Sequence, residues 1–207
     1  MSFKKNKYTV IEEAISKDLA IFLANYFNMQ KQVYDTCIKE RYISPFETLL
    51  GHYEGKDEQI PNTYSQYSNI AMETLMLKCQ PKMEKVTQLK LIPAYTYARI
   101  YKKGDILKRH KDRFSCEVST TMNLGGDLWP IYLEPSGKTG MKGIKIDLNP
   151  GDMLVYSGCE LEHWRKKFKG DECIQVFLHY NNLNTPGARE NIFDKRKHLG
   201  LPSWFKK

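Results

Sequence analysis

His110 and Asp112 stand one residue apart in the stretch Tyr101-Lys-Lys-Gly-Asp-Ile-Leu-Lys-Arg-His-Lys-Asp112. On an extended backbone two such side chains share a face, with Cα atoms roughly 6.6–7 Å apart. An imidazole nitrogen and a carboxylate oxygen at that spacing can meet on one metal ion. A second imidazole would complete two histidines and one carboxylate, the triangular face that holds non-haem Fe(II) and leaves positions open for other ligands. His163 is the candidate third ligand. It lies in Gly158-Cys-Glu-Leu-Glu-His163-Trp-Arg165, after a run that reads as strands and behind the turn Pro150-Gly-Asp152. A bare His-x-Asp is common by chance, so the weight rests on this context and on the lack of a competing cluster.

The elements that must position these residues follow from periodicity. Residues Ala14 to Arg41 carry Ile15, Leu19, Phe22, Leu23, Tyr26 and Phe27 at helical spacing, with Ser16 or Asp18 as cap and Pro45 as a limit. Residues 51–68 are polar and turn-rich and read as a loop shaping a substrate mouth, with His52 on its surface. A second helix is expected over about Asn69 to Lys78, broken or kinked at Pro81, with a turn or two more to Thr87. Extended runs then follow: 91–101, 106–110, 116–124, 129–134, 143–148, 153–156, 161–165 and 173–180. Short strands between Gly, Pro, Asn and Asp turns predict an antiparallel sandwich or barrel. The expected organisation is one compact domain. It has a helical support region (1–88), a β core (89–182) and a tail (183–207) that docks Trp204 or Phe205 on the body.

Tyr-x-x-Gly-x-x-x-x-x-His-x-Asp, followed by Pro-Gly-Asp and a strand carrying His, resembles the 2-oxoglutarate- and Fe(II)-dependent oxygenase superfamily, most of all its prolyl 4-hydroxylase-like branch. The resemblance covers about Leu91 to Tyr180. It implies a double-stranded β-helix (a jelly-roll, cupin-like sandwich) braced by N-terminal helices, an α+β fold that is mainly β. It also implies Fe(II), 2-oxoglutarate as co-substrate, O₂, and ascorbate as a candidate reductant. The implied reaction is hydroxylation of an aliphatic C–H, foremost of a prolyl or other amino-acid side chain, with release of succinate and CO₂. Asp112, where halogenating relatives lack the carboxylate, favours hydroxylation.

The far carboxylate of 2-oxoglutarate needs a cation in a dry pocket, ideally arginine. The prolyl-hydroxylase-like branch places one nine or ten residues after the second histidine, where this chain has Glu172 and Cys173. Arg165, two residues past His163 on the same strand face, is the substitute. Tyr101, nine residues before His110, matches the tyrosine that contacts the same carboxylate. Arg113 and Trp129 are candidate substrate contacts. His179 reads as a core histidine that alternates with Gln175 on the last strand, and Glu160 and Glu162 as groups orienting His163.

Composition bounds the rest. With 41% hydrophobic and 12% aromatic residues the chain should fold. No apolar run approaches the length of a membrane span, and no signal core follows the basic first residues. A soluble cytoplasmic protein is the expectation. Five cysteines without a CxxC pair read as reduced thiols, with Cys116, Cys159 and Cys173 as small buried hydrophobes. A net charge of +8 raises encounter with anions. A nucleic-acid oxidative demethylase is therefore one alternative, although no recognised nucleic-acid motif is present. A non-catalytic cupin-like metal-binding module is the other, favoured by Glu172 and Cys173.

Overall fold

A computed structural model of the chain describes residues 2–42 and 59–206. His52, Pro45 and residues 51–58 of the expected mouth loop lie outside the described residues.

Two antiparallel sheets face each other. A one-turn helix α1 (Phe3–Asn6) leads into β1 (Tyr8–Ile11), then α2 (Lys17–Lys39), β2 (Tyr64–Tyr67) and α3 (Ile70–Thr87). The strands β3 (Leu91–Lys102), β4 (Leu107–His110), β5 (Val118–Gly126), β6 (Ile131–Leu133), β7 (Ile144–Ile146), β8 (Met153–Ser157), β9 (His163–Arg165) and β10 (Glu172–Asn182) follow. The larger sheet has the order β1-β8-β5-β10-β3-β2, the smaller β4-β9-β6-β7. The strands from β3 onward fall into the two sheets in jelly-roll order, so the double-stranded β-helix expected from the sequence is the fold found.

The period-two pattern of the large sheet sorts its side chains between two environments. On β10, Ile174, Val176, Leu178 and Tyr180 face the helices and join Leu23, Phe27, Met72, Met76 and Met83 in the main core. Their alternates Cys173, Gln175, Phe177 and His179 face the smaller sheet. Helix α2 lies against β5, and α3 against β3 and β10. Ser16 caps α2 by accepting from the Leu19 amide, as expected.

Four expectations need correction. Helix α3 runs through Pro81 to Thr87 without a break. Pro81 is exposed, and Met72, Leu75, Met76, Cys79 and Met83 are buried on both sides of it, so packing outweighs the lost hydrogen bond. The region before residue 89 is not only helical, because β1 and β2 extend the large sheet at its two edges. Within 59–68, Tyr64–Tyr67 is a fully buried strand rather than loop. In the tail, Trp204 and Phe205 are 47% and 52% exposed and do not dock. Leu199 packs on the main core instead, beside polar anchors. Arg196 makes a buried ion pair with Glu73 at 2.7 Å, and Lys206 pairs with Asp194 at 2.6 Å. Phe193, Asp194 and Lys195 all have positive φ, a strained run for residues with side chains, held by these contacts.

Candidate metal centre

The three candidate ligands converge at one end of the sandwich. His110 ends β4, His163 begins β9, and the two are directly paired across the strands, with ring centroids 4.2 Å apart. Asp112 follows β4, its amide donating to the Gly158 carbonyl at 2.9 Å. Asp112 Oδ1 stands 3.5 Å from His110 Nε2 and 3.4 Å from His163 Nε2. Donor atoms about 2.1 Å from one ion at right angles lie roughly 3 Å apart, so this is near the spacing a shared ion requires.

Hydrogen bonding fixes which imidazole nitrogens are available. His110 Nδ1 meets the Lys108 carbonyl at 2.7 Å and His163 Nδ1 the Leu161 carbonyl at 3.1 Å. Carbonyls only accept, so both Nδ1 atoms carry the hydrogen and both Nε2 atoms keep a lone pair, which on His110 accepts from Gln59 Nε2 at 3.0 Å. Leu161 thus orients His163, not the expected glutamates: Glu162 pairs with Arg109 at 2.6 Å and Glu160 with Lys7 at 3.3 Å. Burial would raise the Asp112 carboxyl, but the adjacent His163 and His110 hold it well below the usual range, as an anion. Burial would lower His110, yet Asp112 and the Lys108 carbonyl raise it. Two imidazoles and one ionised carboxylate on a face suit Fe(II).

Cys116 and His179 also lie within 4.8 Å of Asp112. They are poorer ligands. Burial holds the Cys116 thiol far above its ordinary range, and His179 Nδ1 is engaged by Ser119 at 3.0 Å. Burial also pushes His179 down to about 4, so its ring is neutral near pH 7.

A cavity of about 500 Å³ opens on the triad, walled by Tyr67, Tyr95, Tyr97, Phe177, His179 and Arg99 among others. Arg113 reaches this wall, but its guanidinium is held by both oxygens of Asp194, at 2.8 and 2.9 Å, and lies over the Tyr95 ring. Trp129 is not in the wall. It packs deeper, against Tyr101 (4.9 Å) and Phe168 (5.0 Å).

Arg165 is 1% exposed, on β9 beside Trp129. It donates to the Trp129 carbonyl, to Thr121 Oγ1 at 3.1 Å and to Gln175 Oε1 at 3.2 Å. No carboxylate pairs with it among the described residues, its Nε–H has no acceptor, and burial pulls its pKa down. Gln175 in turn donates to Cys173 at 3.3 Å. Like Trp129, neither Arg165 nor Tyr101 is among the residues that wall the cavity; Arg165 lies beside Gln175 of β10, two residues from Cys173. Tyr101 is fully buried and its hydroxyl accepts from Arg99 at 3.3 Å. Arg99, Ser119 and the cavity role of His179 were not anticipated. Their one trace in the sequence is polar residues at alternating positions of otherwise apolar strands.

No family model matches the chain, and no curated protein matches it. Solved structures do. A prolyl-4-hydroxylase of Pseudomonas putida is 14% identical, with 87% of this chain and 95% of that one covered at a TM-score of 0.58. HygX of Streptomyces hygroscopicus, with nickel and 2-oxoglutarate bound, is 12% identical over 88% and 85% at 0.58. SnoK, a non-heme alpha ketoglutarate dependent carbocyclase from nogalamycin biosynthesis, is 10% identical over 97% and 90% at 0.60. What this chain shares with them at such identities is the fold, the double-stranded β-helix of 2-oxoglutarate–Fe(II) oxygenases.

Proposed function

We propose that the chain is an Fe(II)- and 2-oxoglutarate-dependent oxygenase that hydroxylates an aliphatic C–H bond, foremost of a prolyl or other amino-acid side chain. The observation that carries this reading is the pairing of an inward-facing His110–Asp112–His163 set with Arg165, a buried cation without an acidic partner among the described residues. A buried charge is costly unless paired. A dicarboxylate that reaches from the metal to Arg165 supplies the missing anion.

Fe(II) with 2-oxoglutarate and O₂ would supply the oxidising power, converting the 2-oxo acid to succinate and CO₂ as a substrate C–H bond is hydroxylated. The chain's own residues do the rest. His110 and His163 present lone pairs set by the Lys108 and Leu161 carbonyls, and Asp112 contributes the single negative charge. Three protein ligands leave three positions for the co-substrate chelate and O₂. Arg165, oriented by Thr121, Gln175 and the Trp129 carbonyl, binds the far carboxylate, with Tyr101 in the same cluster. The rings of Tyr95, Tyr97 and Phe177 exclude water and offer an apolar wall to an aliphatic group such as a pyrrolidine. The similar folds are named for different outcomes, a prolyl hydroxylase and a carbocyclase among them, so the target follows from this cavity and not from the likeness.

The test is succinate formation by purified protein given Fe(II), ascorbate, 2-oxoglutarate and O₂, alone and with proline-containing peptides. Succinate that requires iron and disappears in His163→Ala supports the class, and peptide-stimulated succinate with a hydroxylated product supports the substrate. Succinate unchanged in His163→Ala would contradict the assignment.

A further inference from the structure

The two oxygens of Asp112 keep different company. Oδ1 faces the histidine nitrogens, while Oδ2 accepts from the Ser119 hydroxyl at 2.9 Å. Ser119 Oγ has one proton, and its neighbours include Asp112 Oδ2, the Cys116 carbonyl at 2.8 Å, His179 Nδ1 at 3.0 Å and the Tyr156 side chain. The first two only accept, so the serine proton is directed to them and His179 Nδ1 must bring its own hydrogen. The donor sequence runs from His179 Nδ1–H to Ser119 Oγ–H to Asp112 Oδ2. Aromatic packing holds the imidazole in place, with Tyr95 at 4.6 Å and Phe177 parallel to it at 6.5 Å. Ser119, His179, Cys116, Tyr95 and Phe177 are buried, and Asp112 is partly so.

Resting on the metal-centre reading above, we infer that Ser119 and His179 are positioning residues for the metal carboxylate. They hold Oδ2 as a hydrogen-bond acceptor, so Asp112 offers the ion one oxygen and not two. A bidentate carboxylate would occupy one of the three positions that the co-substrate and O₂ need.

The test is Co(II) titration of the full chain, followed by visible absorption, for wild type, His163→Ala, Ser119→Ala, His179→Phe, His179→Asn and the Ser119→Ala/His179→Phe double variant. Thermal unfolding of each metal-free protein runs alongside. Loss of such orienting bonds typically costs 10–100-fold in metal affinity. Ser119→Ala and His179→Phe should each weaken Co(II) binding at least tenfold while the metal-free protein still unfolds cooperatively. The double variant should be no more than about twofold weaker than the weaker single one, because the two residues act in series. Asparagine at 179 keeps an N–H donor near the place of Nδ1 and should return affinity to within about threefold of wild type. If Ser119→Ala does not fold, the contrast between asparagine and phenylalanine at 179 decides. Affinities within twofold of wild type in both single variants, or fully additive losses in the double variant, overturn the inference and leave the metal centre standing. Wild-type binding that is indifferent to His163→Ala overturns the metal centre itself.

Discussion

Gly158 lies directly against Asp112. Its carbonyl accepts the Asp112 amide at 2.9 Å, and a Cβ on Gly158 would come within 2.5 Å of Asp112 Oδ2 and 2.8 Å of Ser119 Oγ. It would also press on the Cys116 carbonyl oxygen. These neighbours are backbone and short, hydrogen-bonded side chains that cannot swing away. Gly158→Ala should therefore displace a ligand without altering one, lowering metal affinity at least tenfold. Calorimetric titration with Mn(II) measures this; wild-type affinity in Gly158→Ala would show that the carboxylate can move.

Arg165→Met should leave the metal in place and remove the co-substrate's anchor. Hydrogen bonds to a charged partner contribute about 1.5–3 kcal/mol. The expected loss in 2-oxoglutarate affinity is thus about 100-fold at the upper end, with Mn(II) affinity unchanged. Equal 2-oxoglutarate affinity in the variant would point to a different cation.

The Asp194 carboxylate is held far below its usual range. Burial opposes ionisation, but Arg113, Lys206, Ser115 and Tyr67 all donate to it and prevail. A depressed carboxylate pKa stabilises the fold above the unfolded value, about 3.9, and that stability is lost as pH falls toward the folded value. Thermal unfolding of wild type and Asp194→Asn across pH should show the largest gap above about pH 5 and a narrowing gap below about pH 4. A gap that stays constant with pH would refute this.

Arg196 and Glu73 form the buried pair that ties the tail to α3, with Gly200 also donating to Glu73. Breaking such a pair from one side strands a buried charge and costs about 3–5 kcal/mol. Arg196→Met should lower the urea midpoint accordingly. A shift worth less than about 1 kcal/mol would mean that Glu73 finds another partner or takes up a proton.

The sequence carried the β core well because its strands alternate between two kinds of interior. Ile174, Val176 and Leu178 pack on helices, while Phe177 and His179 face the cavity and Gln175 meets Arg165. The clustering of His110, Asp112 and His163 was legible because His110 and Asp112 are neighbours in sequence, and the place of Arg165 because it shares a strand with His163. Ser119 and His179 escaped because their meaning lies in contacts 7 and 60 residues apart, which no local spacing encodes. Strand β2, Tyr-Ser-Gln-Tyr, looked like loop. Its polar groups are buried only because partners such as Tyr97 and Asn69 satisfy them. Pro81 misled for the converse reason, a local rule overridden by packing on both sides. In the tail, aromatic residues suggested docking, whereas ionic partners far away in sequence do the anchoring.

On the function proposed above, 2-oxoglutarate chelates a metal held by His110, Asp112 and His163. Anaerobic titration of 2-oxoglutarate into the Fe(II)-loaded protein, watched for the weak visible charge-transfer band of a chelated 2-oxo acid, tests it most directly. A band that saturates at one equivalent should form in wild type and be absent from His163→Ala. An Fe(II)-loaded wild type that shows no band, or a His163→Ala variant that shows the same one, would contradict it.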